Sequence, residues 1–397
     1  MFVSQAQAYR ALGATLISLA VADFPGWVAG SKAHRAYLAA TGDLIADQRY
    51  FAGMPLHRMA SWRFLAAAQK WLHGNAAEIL CEAARGAELP DELRLPARVD
   101  LIHCNHFFCM PAALALRADR ACKIVLDTHD VQARQFALRN EAAWRMPPKA
   151  TFEEMLALEL AQMSRADLLV HLNDEEAQTL QRLLPDKRHA LVYPTIKPVA
   201  AGGGGPDIII VASANYPNFL SVAWFLKEVR PLAPDVPVKI IGNIDGAFRA
   251  RAPGLLKKNA DLFLGRVEDL DAAYANAAVI LLPTTSGHGI SIKTIEALSS
   301  GVRLIATPEA FRGMGQGMGQ GMGQGMGQGT GIDPAALANV TLVSDAQAFA
   351  AELRRLAATP DGCVDLSSSH TRRLYDRCFS FEAYTNRIAE CVVPLLA

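Results

Sequence analysis

The sequence has no charge of one sign in excess: 39 Lys and Arg balance 39 Asp and Glu. A dedicated DNA- or RNA-binding protein carries a basic surplus, so nucleic acid is not an expected partner. No apolar run reaches the 18 or so residues that a membrane-spanning helix needs. Cysteine is sparse and scattered, at Cys81, Cys104, Cys109, Cys122, Cys363, Cys378 and Cys391, with no C-x-x-C pair. An odd, dispersed set argues against a disulfide framework and points to a reducing, cytoplasmic setting. G-x-S-x-G and G-x-x-x-x-G-K-[ST] are both absent, and no strand opens into a helix through G-x-G-x-x-G. Those gaps argue against serine hydrolases, P-loop enzymes and nicotinamide dehydrogenases.

What is present is apolar material for large cores. Hydrophobic residues make up 51% of the chain and charged residues 20%, which excludes a disordered chain. At roughly 150 residues per domain, 397 residues predict two domains. Arg10 followed by 12–22 resembles a short signal-peptide core with an A-x-A end. The reading favoured here is a helix end at Gly13 followed by a buried strand, 15–21, because everything downstream reads as cytosolic α/β. Strands are expected at 99–103, 123–126, 167–172 and 190–193, with helices at 111–118, 131–144, 151–165 and 174–184. The rhythm repeats with strands at 207–212, 236–242, 262–265, 279–283 and 302–306, and helices at 217–232, 269–275, 290–300 and 345–357. Continuous apolar strands alternating with helices predict parallel sheets covered on both faces. The run Ala201-Gly-Gly-Gly-Gly-Pro206 reads as a flexible linker between two doubly wound domains. Ligands of such sheets bind at the carboxyl ends of the strands, which places the site in a cleft between facing domains.

Two segments stand apart. Gly313–Gly329 holds four tandem Met-Gly-Gln-Gly units, and glycine at that density predicts a floppy inserted loop without a role. Residues 48–77 read as helical and lack any Asp or Glu. They interleave Arg49, His57, Arg58, Arg63, Lys70 and His73 with Trp62, Phe64, Leu65, Trp71 and Leu72. This pattern fits either a surface for a membrane or an anionic acceptor, or a helix with an apolar core stripe and a solvated basic face.

The most informative segment is Leu281–Thr307. A buried strand ends at Pro283, a loop with Gly287 and Gly289 follows, and a helix begins near Ile290. Glycine allows close backbone approach to a ligand. The helix N-terminus offers unpaired N–H groups and a positive dipole end suited to a diphosphate. Lys293 sits in the first turn, and Glu296 shares its face and could accept two ribose hydroxyls. The alternative is an ordinary strand–loop–helix turn with a surface ion pair. Gly287-x-Gly289-x-x-x-Lys293-x-x-Glu296-Ala-Leu-x-x-Gly301-Val-x-x-Ile-Ala-Thr resembles the donor-binding signature of family 4 (group 1) glycosyltransferases with the GT-B fold. Asp127-Thr-His-Asp-Val131, Ser213-Ala-Asn215-Tyr-Pro-Asn218 with Trp224-Phe-Leu226, and Gly265-Arg266-Val267-Glu-Asp-Leu270 resemble further family segments in the expected order.

The resemblance implies an α/β chain of two Rossmann-like doubly wound domains facing across a cleft. Their expected bounds are 1–200 on the acceptor side and 207–378 on the nucleotide-sugar side, with a helix at 379–397 that packs back on the first. It implies transfer of a sugar, with retention, from a nucleoside-diphosphate sugar to a glycan or lipid-linked acceptor in surface polysaccharide synthesis. The expected donor-binding residues are Asn215, Arg266, Val267, Gly287, His288, Gly289, Ile290, Ser291, Lys293 and Glu296. His129, Asp130 and His106 are the candidate catalytic residues, His129 facing the donor sugar or acceptor hydroxyl. No cofactor or metal is expected. His103, Cys104, His106 and Cys109 lack the spacing of zinc ligands, and the Asp269-Leu-Asp271 pair reads as the acidic first turn of a helix. Peripheral contact with the cytoplasmic face of the inner membrane is a further expectation.

The chain departs from the family in three places. His288 stands where many members have the first Glu of a Glu-x7-Glu pair. The Arg and Lys that others place after the first C-domain strand are absent from Ser213–Asn218. The chain begins at the helix Gln5–Leu12, without the opening strand and glycine loop. A nucleotide-sugar epimerase of the same fold and an inactive GT-B scaffold are the alternative readings.

Overall fold

The computed structural model describes residues 2–396 except 43–45, 92, 119, 204, 316–331 and 359–368. Most of the Met-Gly-Gln-Gly repeat lies outside the described residues. The described chain divides into two units. One comprises 1–194 and 384–397, and the other lies within 195–383.

In the first unit, β1 (Ile17–Val21) pairs parallel with β2 (Gln48–Ala52) as a small separate sheet. A second sheet runs β3 (Leu101–Asn105), β4 (Lys123–Asp127), β5 (Leu168–His171) and β6 (Arg188–Leu191), all parallel and in sequential order. The pleat sends alternate residues to opposite faces. Ile124, Leu126 and Leu169 join a cluster with Phe107, Phe136, Met155 and Met163. Val125, Leu168 and Val170 join another with Ala8, Ile388, Val392 and Leu395. The terminal helices Phe2–Ala11 and Phe381–Leu396 thus cover one face of this sheet. Burial on both faces explains why these strands read as unbroken apolar runs.

The second unit holds β7 (Asp207–Val211), β8 (Lys239–Ile241), β9 (Phe263–Gly265), β10 (Ala277–Leu282), β11 (Arg303–Ala306) and β12 (Val340–Leu342). They lie in the order β9-β8-β7-β10-β11-β12, all parallel. The chain winds outward in one direction from β7 and then in the other from β10. The order therefore reverses between these two central strands, where doubly wound sheets open a crevice at their carboxyl ends. Ile208, Ile210, Val279, Leu281 and Ile305 pack with Phe225, Phe248 and Phe349 on one face, while Ile209, Ile280 and Leu304 are buried on the other.

Three expectations are corrected, and the helix expected at 217–232 is found with a change of winding. Residues 48–77 are not one helix: 48–52 is β2, Leu56–Ala60 is a 3₁₀ turn, Trp62–Leu72 is α-helical, and a separate helix, Ala76–Gly86, begins at the end of the stretch. The helix starts where Ser61 Oγ accepts the N–H of Phe64 at 3.2 Å. The run 201–206 is not a slack tether among its described residues. Gly202 N donates to Ser300 O at 3.0 Å and Gly203 N to Ala277 O at 2.7 Å. A Cβ on Gly202 would meet Val302 Cγ1 at 2.1 Å, so glycine is there to let the backbone lie against the sheet. The helix expected at 217–232 is α-helical over Tyr216–Trp224, continues as a π turn over Phe225–Val229, and ends as a 3₁₀ turn over Arg230–Leu232. Pro231 in that last turn has no N–H to give. Finally, β3 ends at Asn105, two residues beyond the 99–103 expected, so Asn105 lies within the strand. The apolar 12–22 stretch contains β1, and β12 had no counterpart in the sequence reading. Among the described residues, no helix is long and apolar enough to cross a membrane.

Candidate functional site

The loops at the switch point of the second unit are held from several sides. After β7, Asn215 caps the helix Tyr216–Trp224 by accepting the N–H of Asn218 at 2.8 Å. Asn243 Oδ1 accepts the N–H of Ala214 at 2.9 Å. After β10, Thr307 N donates to Leu282 O at 3.1 Å and the Thr307 hydroxyl donates to Thr284 O. Thr285 N donates to Ser221 Oγ at 3.2 Å, tying the loop to the helix after β7. The loop then passes Gly287 (φ +147°) and Gly289 (φ +63°) and enters the helix Ile292–Ser300. Ser291 caps that helix on the N–H of Thr294, and buried Thr294 Oγ1 donates to Ala310 O at 2.7 Å. His288 is exposed and Ile290 half-buried.

Glu296 is more constrained than a surface carboxylate. Its Oε2 accepts from Lys293 Nζ at 2.7 Å and from Tyr274 Oη at 3.1 Å. Tyr274 is 1% exposed, and burial, reinforced by the Glu296 charge, pushes its phenol well above the usual range. The Lys293–Glu296 pair is thus fixed from the core side, unlike the solvated ion pair weighed as the alternative. Arg266 and Val267 follow β9 at the edge of the sheet, and Arg266 is exposed. Asp269 caps the helix Leu270–Ala275 and Asp271 accepts the N–H of Ala200, so both carboxylates serve the backbone.

The first unit gathers histidines at the ends of β3 and β4. His106 and His129 both have positive φ, at 65° and 55°, and their rings stack at 3.8 Å. His129 Nε2 meets Asn105 Oδ1 at 3.2 Å, and its backbone N–H donates to Asp127 Oδ1 at 3.1 Å. Asn105 Nδ2 donates to Gln5 Oε1, and Gln5 Nε2 in turn meets His103 Nε2 at 2.8 Å. Tyr9 Oη lies 2.6 Å from His103 Nδ1. Burial holds His103 down to about 3 and His106 to about 4; burial and the neighbouring imidazoles hold His129 to about 3. Burial also lifts Asp127 to about 7. His129 is consequently neutral and a weak base. It can donate a hydrogen bond but is poorly suited to take a proton.

Asp130, half-buried, precedes a helix start that is already filled. Glu159 accepts the N–H groups of Gln132 and Ala133 at 3.0 and 2.9 Å, and Glu176 accepts that of Val131 at 3.2 Å. Burial raises both carboxyls to about 7. This helix, Gln132–Ala142, therefore has its first amides occupied by the protein's own carboxyls. Among the described residues, no group of three or more His, Cys, Asp or Glu is arranged to hold a metal ion.

Residues 205–359 match the family model described as glycosyl transferases group 1. Within the second unit, residues 205–359 are thus similar to group 1 glycosyltransferases. The chain is also similar, at 21% identity over 241 residues, to an uncharacterized 44.6 kDa protein in the cps region of Klebsiella pneumoniae. That match covers 56% of this chain and 61% of the relative's length. Sucrose-phosphate synthase from Thermosynechococcus elongatus has a TM-score of 0.57 at 17% identity, over 98% of this chain and 91% of its own. HepE from Anabaena, solved in complex with UDP, has a TM-score of 0.57 at 11% identity, over 96% of this chain and 100% of its own. A glycosyltransferase from Rickettsia africae has 0.57 at 14%, over 100% and 94%. The fold is of the GT-B type, with two Rossmann-like units.

The second unit brings Asn215, Gly287, Gly289, Ser291, Lys293 and Glu296 to one switch point, while Arg266 and Val267 sit at a sheet edge. The sequence reading missed Tyr274, Glu159 and Glu176. A lone Tyr in a short helix and two Glu in acidic helices give no signal until the fold buries them.

The partly buried imidazoles have a consequence for acid stability. In the unfolded chain their pKa returns to near 6.5. Between that value and their folded ones the unfolded chain binds more protons, so stability is lost as pH falls. Asp127, Glu159 and Glu176 carry the opposite sign, because their folded pKa is raised. His129→Gln deletes one imidazole from the balance. Stability from urea unfolding is expected to fall less steeply between pH 6.5 and 5 in this variant than in the wild type, by up to about 1.4 kcal/mol per pH unit. Identical slopes would mean that His129 is not held neutral.

Proposed function

We propose that the chain transfers a sugar from a nucleoside-diphosphate sugar to a glycan or lipid-linked acceptor, with retention, in surface polysaccharide synthesis. The observation that carries this reading is Glu296 held by Tyr274 and Lys293 beside the Gly287–Ser291 loop at the switch point. The first amides of that helix and the Lys293 ammonium supply positive potential for a diphosphate. Glu296 accepts ribose hydroxyls. Catalysis rests on positioning and on stabilising the leaving diphosphate, without a metal. His288 lies beside the donor phosphates, and neutral His129 orients a sugar hydroxyl with Asp130 and His106 around it. HepE binds UDP and, in a further structure, UDP-glucose, and the Klebsiella relative lies in a cps region, which supports the donor class and the setting.

The reading places the enzyme in the cytoplasm, touching the membrane through the first unit. Leu56, Met59, Trp62, Leu65, Leu72, Trp144 and Met146 are all exposed, Trp62 at 73% and Trp144 at 79%. Met146 N bonds to Leu72 O, joining the two stretches. The local lack of acid in 48–77 is filled by the fold, since Glu88 pairs with Arg58 at 2.9 Å and Glu78 with Lys70 at 2.7 Å. Contact therefore relies on aromatic and aliphatic insertion more than on charge.

Two measurements test this. A thermal-shift panel of UDP-, GDP-, ADP- and dTDP-sugars identifies the donor, since a ligand at 100 times its Kd adds about 2.7 kcal/mol. With that donor, Lys293→Ala and Glu296→Gln are each expected to lower kcat/KM about 100-fold or more with little change in Tm. Wild-type kinetics in both would remove the assignment, and product formed without any acceptor would favour epimerisation. On phosphatidylcholine–phosphatidylglycerol vesicles, the wild type is expected to co-sediment and Trp62→Ser/Leu65→Ser to stay in the supernatant. Equal sedimentation of the two would contradict the docking surface.

A further inference from the structure

We propose that Arg312 is a diphosphate-binding residue of the donor loop, supplying the charge that Ser213–Asn218 lacks. This deepens the reading of the Gly287–Ser291 loop and rests on it. Arg312 lies 25 residues beyond Gly287 in sequence, outside the motif that marks the loop. In the fold its guanidinium lies against the Gly287 backbone. A Cβ on Gly287 would meet Arg312 Nη2 at 2.4 Å, Cζ at 2.6 Å and Nε at 3.0 Å, so all three of the nearest atoms are guanidinium atoms. The glycine, at φ +147°, provides the space for that contact as well as the turn.

The arginine is also positioned by the helix that follows the loop. It closes the 3₁₀ turn Pro308–Phe311, donating from its backbone N–H and from Nη1 to Glu309 O at 3.3 and 3.2 Å. Ala310 and Phe311 in that turn are fully buried, and Ala310 O accepts the Thr294 hydroxyl of the helix Ile292–Ser300. The turn that carries the guanidinium is thereby tied to the helix that follows the loop. Next to Gly287, Ser286 Oγ is buried and has no hydrogen-bond partner among the described residues. A buried hydroxyl without a partner in the loop that Arg312 lies against is a group that a phosphate oxygen can satisfy.

Charge accounting points the same way. Lys293 is engaged by Glu296 at 2.7 Å, which offsets much of its charge. A diphosphate carries more than one negative charge, and a planar guanidinium can contact two of its oxygens at once, which an ammonium cannot.

The test is calorimetric titration of the full chain with UDP, GDP, ADP and dTDP and with the matching nucleosides. For the nucleotide that the wild type binds, Arg312→Gln is expected to weaken the diphosphate roughly tenfold or more while leaving nucleoside affinity unchanged. Arg312→Lys restores charge without the fork and is expected to fall between the two. An unchanged melting temperature of the free variants shows that they fold. If the wild type binds a nucleoside diphosphate and Arg312→Gln binds it within about twofold, the Arg312 assignment is overturned and the loop reading survives. Equal losses for diphosphate and nucleoside also overturn it. If the wild type binds none of the four diphosphates, the loop reading itself fails and Arg312 with it.

Discussion

The geometry of the second unit depends on how the loop after β10 is anchored. A loop leaving the centre of a parallel sheet has backbone groups that no strand satisfies, and here neighbouring elements satisfy them. Thr307 from the end of β11 takes the carbonyl side at Leu282 and Thr284, and Ser221 takes the N–H of Thr285. Thr294 ties the following helix to Ala310. With both ends fixed, the intervening glycines hold one path past the crevice where the strand order reverses. Glu296 is fixed by the same logic, from beneath by Tyr274 and alongside by Lys293.

The two units treat their helix starts in opposite ways. In the first, Glu159 and Glu176 fill the amides that open the helix after β4, and burial keeps those carboxyls near neutrality in pKa. An incoming phosphate would meet acceptors rather than donors there. In the second, the helix start is capped by the short side chain of Ser291, and the cations Lys293 and Arg312 stand close by. Of the two helix starts, the second unit's is therefore the one whose surroundings favour an anion. The first unit offers instead a set of neutral imidazoles, His103, His106 and His129, suited to hydrogen bonding with uncharged hydroxyls.

Much of this was legible in the sequence because it rests on local pattern. Strands such as Ile208–Val211 and Val279–Leu282 announce themselves as apolar runs because both faces are covered. Glycine spacing followed by Lys293 and Glu296 marks the loop because the backbone there needs those residue types in that order. What escaped is tertiary. Tyr274 and Arg312 reach the site from other elements, and no spacing rule links them to it. The glycines at 202 and 203 read as slack because a sequence shows their freedom but not the sheet they lie against. The 48–52 strand was absorbed into a helix because its partner, β1, is over 25 residues away in sequence. The basic look of 48–77 vanished for the same reason, once Glu78 and Glu88 folded onto it.

The most direct test of the account is a crystal structure of the chain with the nucleoside diphosphate that stabilises it best. The diphosphate is expected against the amides of Gly289 to Ser291 and the ribose on Glu296. A nucleotide bound anywhere else, or a loop whose amides are turned away from it, would contradict the account.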